Sequence, residues 1–199
     1  MPIEQQEGAR LILVLGGARS GKSTFAERLA ARSCRSVAYI ATAIASDADM
    51  HDRIARHRAA RPTDWITIEE PLHLPTAVQQ AAERADVILL DCATIWLSNW
   101  LFMGETLDDE AISALHYDSA LAEIAALTRT LTTLDAGKTL IVVSNEVGMG
   151  IVPAYALGRV YRDVLGLVNQ RLAGAAERVY WMVAGLGVDI KRLDEQATL

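Results

Sequence analysis

Gly16-Gly17-Ala18-Arg19-Ser20-Gly21-Lys22-Ser23 has the spacing G-x-x-x-x-G-K-[ST], and that spacing implies phosphate chemistry. Glycines let successive backbone N–H groups turn onto phosphate oxygens without a Cβ in the way. Lys22 is then placed to reach the β/γ-phosphates, and the Ser23 hydroxyl to ligate Mg²⁺. Asp91 follows the apolar run Val87-Ile88-Leu89-Leu90, where a strand-end carboxylate can hold Mg²⁺ directly or through water. His57 lies among Arg53, Arg56, Arg58 and Arg61. These cations disfavour imidazolium, which favours a neutral, nucleophilic ring, and they can carry a polyphosphate to it. Taken alone, such a histidine on a basic helix is usually just a solvated surface residue. Glu69 can accept hydrogen bonds from a ribose or base, or can simply be an exposed acid. The segment from Ser144 to Pro153 carries Gly148 and Gly150 after an apolar run. It reads either as backbone approaching a ligand or as a plain strand–helix turn.

The elements that position these residues alternate between short β-branched runs and longer helical patterns, the signature of an α/β fold with a largely parallel sheet. Strands are expected at 11–15, 36–40, 86–90, 139–144 and 178–183, with a further short strand delivering Glu69. Their near-continuous apolar character suits strands covered on both faces. Helices are expected at 23–32, 47–60, 74–84, 110–134 and 154–175. Leu115, Leu121, Ile124, Leu127, Leu131 and Leu134 form an apolar stripe at helical spacing, which reads as core or subunit contact. Gly137 occupies the place of a helix-terminating glycine.

Length and charge narrow the function further. A chain of 199 residues suits one domain with a substantial core. Net charge of −6 with no block of Lys or Arg argues against a polynucleotide partner. Cys34 and Cys92 make no disulfide framework and no metal-ligand spacing, and are expected as small buried or half-buried thiols. No apolar run is long enough to span a bilayer and no signal peptide is visible, so a cytoplasmic enzyme is expected. A GTP-dependent switch would carry Asn-Lys-x-Asp to read guanine, and that motif is absent. A plain phosphate-loop kinase of another small alcohol, with His57 incidental, is the alternative.

Several segments in this order resemble the bifunctional adenosylcobinamide kinase/adenosylcobinamide-phosphate guanylyltransferase family. They are the phosphate loop, Tyr-Ile-Ala-Thr-Ala at 39–43, Arg-Ile-x-x-His-x-x-x-Arg-Pro-x-x-Trp at 53–65, and Leu-Leu-Asp-Cys at 89–92 with Trp-Leu-Ser-Asn at 96–99. Ser-Asn-Glu-Val-Gly-Met-Gly-Ile-Val-Pro at 144–153, Arg-Asp at 162–163 and Asn-Gln-Arg-Leu-Ala at 169–173 complete the set. The resemblance covers 11–191, leaving an N-terminal extension at 1–10 and a polar tail at 192–199.

The resemblance implies a single-domain, RecA-like phosphate-loop NTPase-type fold with helices on both faces of the sheet, assembled as a homotrimer. It implies phosphorylation of adenosylcobinamide on its aminopropanol hydroxyl by ATP or GTP, with Mg²⁺. A GMP–histidine intermediate from GTP, matching His57, then passes GMP to adenosylcobinamide phosphate to give adenosylcobinamide-GDP. Carried over by position, the nucleotide site comprises residues 16–23, Ala41, Thr42 and Ala43, then Arg58, Ala59, Ala60 and Arg61, and finally Glu69 and Asp91. Ser23 and Asp91 would hold the metal, and Lys22 would act with His57 in catalysis. Arg56 stands where some relatives have a second histidine, which leaves His57 as the candidate in its helix.

Overall fold

The computed structural model describes residues 8–44, 55, 58–59, 61–102 and 115–197. Seven strands form one sheet: β1 (Arg10–Gly16), β2 (Val37–Ala41), β3 (Ile66–Glu69), β4 (Val87–Asp91), β5 (Thr139–Asn145), β6 (Arg178–Val183) and β7 (Leu186–Asp189). Their spatial order is β3-β2-β4-β5-β1-β6-β7, and every pair is parallel except β6 with β7. This is the expected single-domain α/β sheet. β5 lies between the strand that feeds the phosphate loop and the strand that ends in Asp91.

Alternation along the strands builds two cores. Leu11, Leu13 and Leu15 of β1, with Ile88, Leu90, Leu140 and Val142, face one side and are buried. There they pack beneath α2 (Leu74–Arg84), α3 (Ala93–Phe102), α4 (Leu115–Thr133) and α5 (Ala156–Ala175). Val14, Tyr39, Leu89, Ile141 and Val143 face the other side, where α1 (Lys22–Arg32) contributes Ala26 and Ala30. Small residues on α1 bring it close to the sheet, so its N-terminus sits directly over the strand ends.

The helix expected at 74–84 is observed with those bounds. In α4 the stripe residues Leu121, Ile124, Leu127 and Leu131 are buried in the core. The helix expected at 47–60 falls largely outside the described residues, as does the segment 103–114.

Three local expectations are corrected. Gly137 does not cap α4: the helix ends at Thr133, and Gly137 lies in a turn closed by Lys138 N donating to Asp135 O (2.9 Å). Cys34 is exposed, because it follows the end of α1 in a left-handed conformation (φ 52°), whereas Cys92 is buried. The polar tail expected at 192–199 is not a separate tail: as far as Ala197 it belongs to α6 (Ile190–Ala197), which follows β7 directly. The hairpin to β7 turns through Ala184 (φ 51°) and Gly185 (φ 83°), the left-handed pair that matches strand twist.

Thr42 joins the ends of β2 and β4. Its buried hydroxyl accepts from Cys92 N and donates to Cys92 O, both at 2.9 Å. Thr42→Val should therefore cost about 1–3 kcal/mol, since a buried N–H loses its partner without a change in side-chain shape. A urea midpoint equal to wild type would contradict this.

Candidate active site

The phosphate loop, Ala41, Glu69 and Asp91 lie at the carboxyl ends of parallel strands, where open α/β sheets bind ligands. β1 ends at Gly16 and α1 begins at Lys22, so the phosphate loop is the connection between them. Gly21 stands at the helix N-cap with φ 92°, and a Cβ there would meet Gly185 Cα at 3.2 Å. At Gly16 a Cβ would lie 2.6 Å from Met182 O, so β6 approaches too closely for any side chain. Gly17, Ala18 and Arg19 are exposed along the loop, and Ser23 is half-buried in the first turn of α1.

Lys22 is buried at 8% exposure, with Nζ donating to Gly17 O at 2.6 Å, so it folds back over its own loop. Burial holds its pKa below the ordinary lysine value, while Cys92 and Asp91 act in the opposite direction. Asp91 is thus an electrostatic neighbour of Lys22 across the strand ends. The Ser20 hydroxyl is buried without a hydrogen-bond partner. An orphaned donor inside a loop of exposed N–H groups suits a phosphate oxygen.

On the other side of Asp91, Tyr39 Oη donates to Asp91 Oδ2 at 2.7 Å. Burial first, and Asp91 next, raise the phenol well above its usual range, so it remains a donor. The Arg61 guanidinium lies over the Tyr39 ring, 3.3 Å from its centroid, and its Nε is buried without a hydrogen-bond partner. Arg58 pairs with Glu69 at 3.4 Å, both side chains about two-thirds exposed (66% and 67%), a surface pair of little energetic weight. Ala41 and Ala43 are half-buried around Thr42, and Glu69 ends β3 beside Ala41. Ala59 is exposed; His57 and Ala60, with Arg53 and Arg56, lie outside the described residues.

The arrangement suits Mg²⁺, a hard cation that takes one or two carboxylates and keeps several waters. Asp91 supplies a carboxylate with one oxygen already fixed by Tyr39, and Ser23 supplies a hydroxyl at the loop's exit. Asp91→Asn should raise the Mg²⁺ concentration for half-maximal turnover by about tenfold or more, because the metal prefers a charged oxygen. The amide oxygen can still accept from Tyr39, so the melting temperature should barely move. Coincident Mg²⁺ titrations of the two proteins would instead assign Asp91 to structure.

Tyr39, Ser144, Asn145 and Asn169 fall in segments that carry the family resemblance, but only the structure shows what their side chains bond. Ser144 Oγ donates to Asn169 Oδ1 at 2.7 Å, Asn169 Nδ2 donates to Asn145 O at 3.0 Å, and Asn145 N donates to Thr94 Oγ1 at 2.6 Å. Three separate elements supply these groups, and together they hold the end of β5 rigidly next to Gly16, its partner in register.

Phosphate loop, buried lysine and strand-end carboxylate define a phosphate-loop nucleotide-binding fold. The family described as cobinamide kinase / cobinamide phosphate guanyltransferase (CobU) matches residues 12–190, and the chain belongs to that family. It is accordingly an enzyme of two activities, cobinamide kinase and cobinamide phosphate guanylyltransferase. The chain is 45% identical over 181 residues to the bifunctional adenosylcobalamin biosynthesis protein CobP of Pseudomonas aeruginosa, covering 90% of this chain and 96% of that one. It is 43% identical over 183 residues to the bifunctional adenosylcobalamin biosynthesis protein CobU of Escherichia coli K12, covering 91% and 99%. Salmonella typhimurium CobU gives the same identity and coverage. Among solved structures, the crystal structure of the RadB recombinase aligns with a TM-score of 0.48 at 15% identity, covering 88% of this chain and 74% of that chain. No helix among the described residues is long and apolar enough to cross a membrane.

Proposed function

We propose that the enzyme phosphorylates the aminopropanol hydroxyl of adenosylcobinamide and then passes GMP from GTP, through His57, to adenosylcobinamide phosphate. The observation that carries this reading is the single phosphate loop, with Lys22 and the unpartnered Ser20 hydroxyl, set against Asp91 in a chain of this family. One triphosphate site serves both reactions because each displaces a phosphate leaving group whose charge the same lysine and loop amides stabilise. Mg²⁺, held by Ser23 and Asp91, supplies further charge neutralisation when bound.

In the guanylyl half, the His57 imidazole forms a bond to the α-phosphorus, the Pα–O bond to the β-phosphate breaks, and pyrophosphate leaves. The cobinamide phosphate oxygen then displaces histidine. Splitting one displacement into two gives each step a good leaving group. Arg61, anchored on Tyr39, and Arg58, paired with Glu69, bring positive charge from the segment that follows His57. The catalytic unit is residues 11–191, with 1–10 and 192–199 outside it. ATP serves as an alternative phosphoryl donor, and the enzyme works in the cytoplasm as a homotrimer, an expectation from family resemblance that sedimentation tests.

The decisive experiment incubates the protein with α-labelled GTP and Mg²⁺, then denatures it. Label that remains bound in alkali and is lost in mild acid supports the phosphoramidate. Unlabelled protein that still phosphorylates cobinamide would favour a plain kinase with His57 incidental.

A further inference from the structure

Beside the phosphate loop, on the flank away from Asp91, lies a cavity of about 300 Å³. Residues 17–20 form one wall, and Met149, Trp181 and Val183 form the apolar side. Tyr39, Asp91, Arg61 and Glu69 all belong to the β2–β3–β4 half of the sheet, whereas this cavity belongs to the β5–β1–β6 half. The loop therefore has a second flank, which Ala41, Thr42, Ala43, Arg61, Glu69 and Asp91 do not reach.

Among the described lining residues, Glu146 is the only carboxylate. Its backbone N donates to Gly16 O at 3.0 Å, which fixes it at the mouth of the loop. Its Oε1 accepts from Gly148 N at 2.6 Å, which orients the carboxylate and leaves Oε2 for a ligand. Beyond Gly148 the rim is apolar and open: Met149 is 75% exposed, Ile151 97% and Val152 60%. A carboxylate at the meeting of the phosphate loop, with Arg19, and an apolar wall of Met149, Trp181 and Val183 is placed to take the proton of a hydroxyl that enters beside the phosphates.

We propose that this cavity takes the alcohol arm of the kinase acceptor, and that Glu146 is the general base for its hydroxyl; this rests on the cobinamide kinase reading above. The hydroxyl oxygen forms a bond to the γ-phosphorus, and the bond from that phosphorus to the β–γ bridging oxygen breaks. The nucleoside diphosphate leaves with the electron pair, and the hydroxyl proton passes to Glu146 Oε2 and on to water. A positioned carboxylate in this role contributes about 10²–10⁴-fold. Guanylyl transfer from a histidine to a phosphate has no hydroxyl proton to remove, so it does not need this base.

Glu146→Gln tests the assignment in the full-length enzyme, because the amide oxygen still accepts from Gly148 N. With cobinamide and GTP, kcat for phosphorylation should fall about 100-fold. The Kd for GTP should be unchanged, and guanylyl transfer to pre-formed cobinamide phosphate should persist. Undiminished kinase kcat overturns the base, and parallel loss of both reactions with weakened GTP binding overturns it in favour of a structural role. Val183→Trp, which crowds the cavity, should raise the KM for cobinamide; a raised GTP Kd with unchanged cobinamide KM would hand the cavity to the nucleotide and overturn the proposal. Wild-type protein that fails to phosphorylate cobinamide would sink the functional reading itself, an outcome separate from failure of the variants.

Discussion

His57→Ala should carry no GMP after incubation with GTP and should make no adenosylcobinamide-GDP, while its kinase turnover stays within about tenfold of wild type. The asymmetry follows from the chemistry of the two transfers. Guanylylation through histidine needs an enzyme nucleophile, and alanine supplies none. Phosphoryl transfer to the cobinamide hydroxyl needs no enzyme nucleophile, and the in-line positioning and charge stabilisation given by the phosphate loop and Lys22 do not depend on His57. Mass analysis of corrinoid products should therefore show adenosylcobinamide phosphate accumulating without its GDP successor. The wild-type adduct should be lost in mild acid and stable in alkali, unlike a serine ester. Label that persists on the variant, or that maps by peptide analysis to His51, would move the nucleophile elsewhere.

Lys22→Ala should reduce both reactions by about 10²–10³-fold or more, the loss expected when a preorganised charge is removed from a developing phosphate anion. Lys22 is buried at the start of α1 and bonded to Gly17 O, so its ammonium is already desolvated and aimed before nucleotide arrives. A surface lysine in the same sequence position would contribute far less. The fold should survive, because the lost side chain bonds only its own loop and burial already disfavours its charge. Far-UV circular dichroism should match wild type while titration with a fluorescent GTP analogue shows weakened binding. Near-normal turnover of the folded variant in either half-reaction would refute a shared phosphate site.

Local pattern carried most of the architecture. The strand–loop–helix around residues 10–32, the bounds of α2 and the buried stripe of α4 depend on periodicity and on loop chemistry that neighbouring residues encode by themselves. α3 escaped because Ile95, Trp96, Leu97, Trp100 and Leu101 surround it on several sides, so no polar face marks its period. Burial between the sheet and α4 and α5 makes that composition stable, with Trp96 Nε1 donating to Leu72 O and Trp100 Nε1 to Ser119 Oγ. β7 and α6 escaped because they are short, four and eight residues, and only pairing with β6 makes Leu186–Asp189 a strand.

Taken by itself, the sequence determined the phosphate loop, the carboxylate at the end of β4 and the cationic setting of His57, because each is written in contiguous residues, and the family, because its segments recur in a fixed order along the chain. Tertiary structure alone decided which groups meet across strands far apart in the chain. Tyr39 reaches Asp91 only because β2 pairs with β4, and Arg61 reaches Tyr39 only because the chain returns through β3. Glu146 meets the phosphate loop only because β5, more than a hundred residues later, inserts next to β1. Hydrogen bonds and cavities depend on distance in space, and parallel strand order sets that distance without leaving a local mark on the sequence.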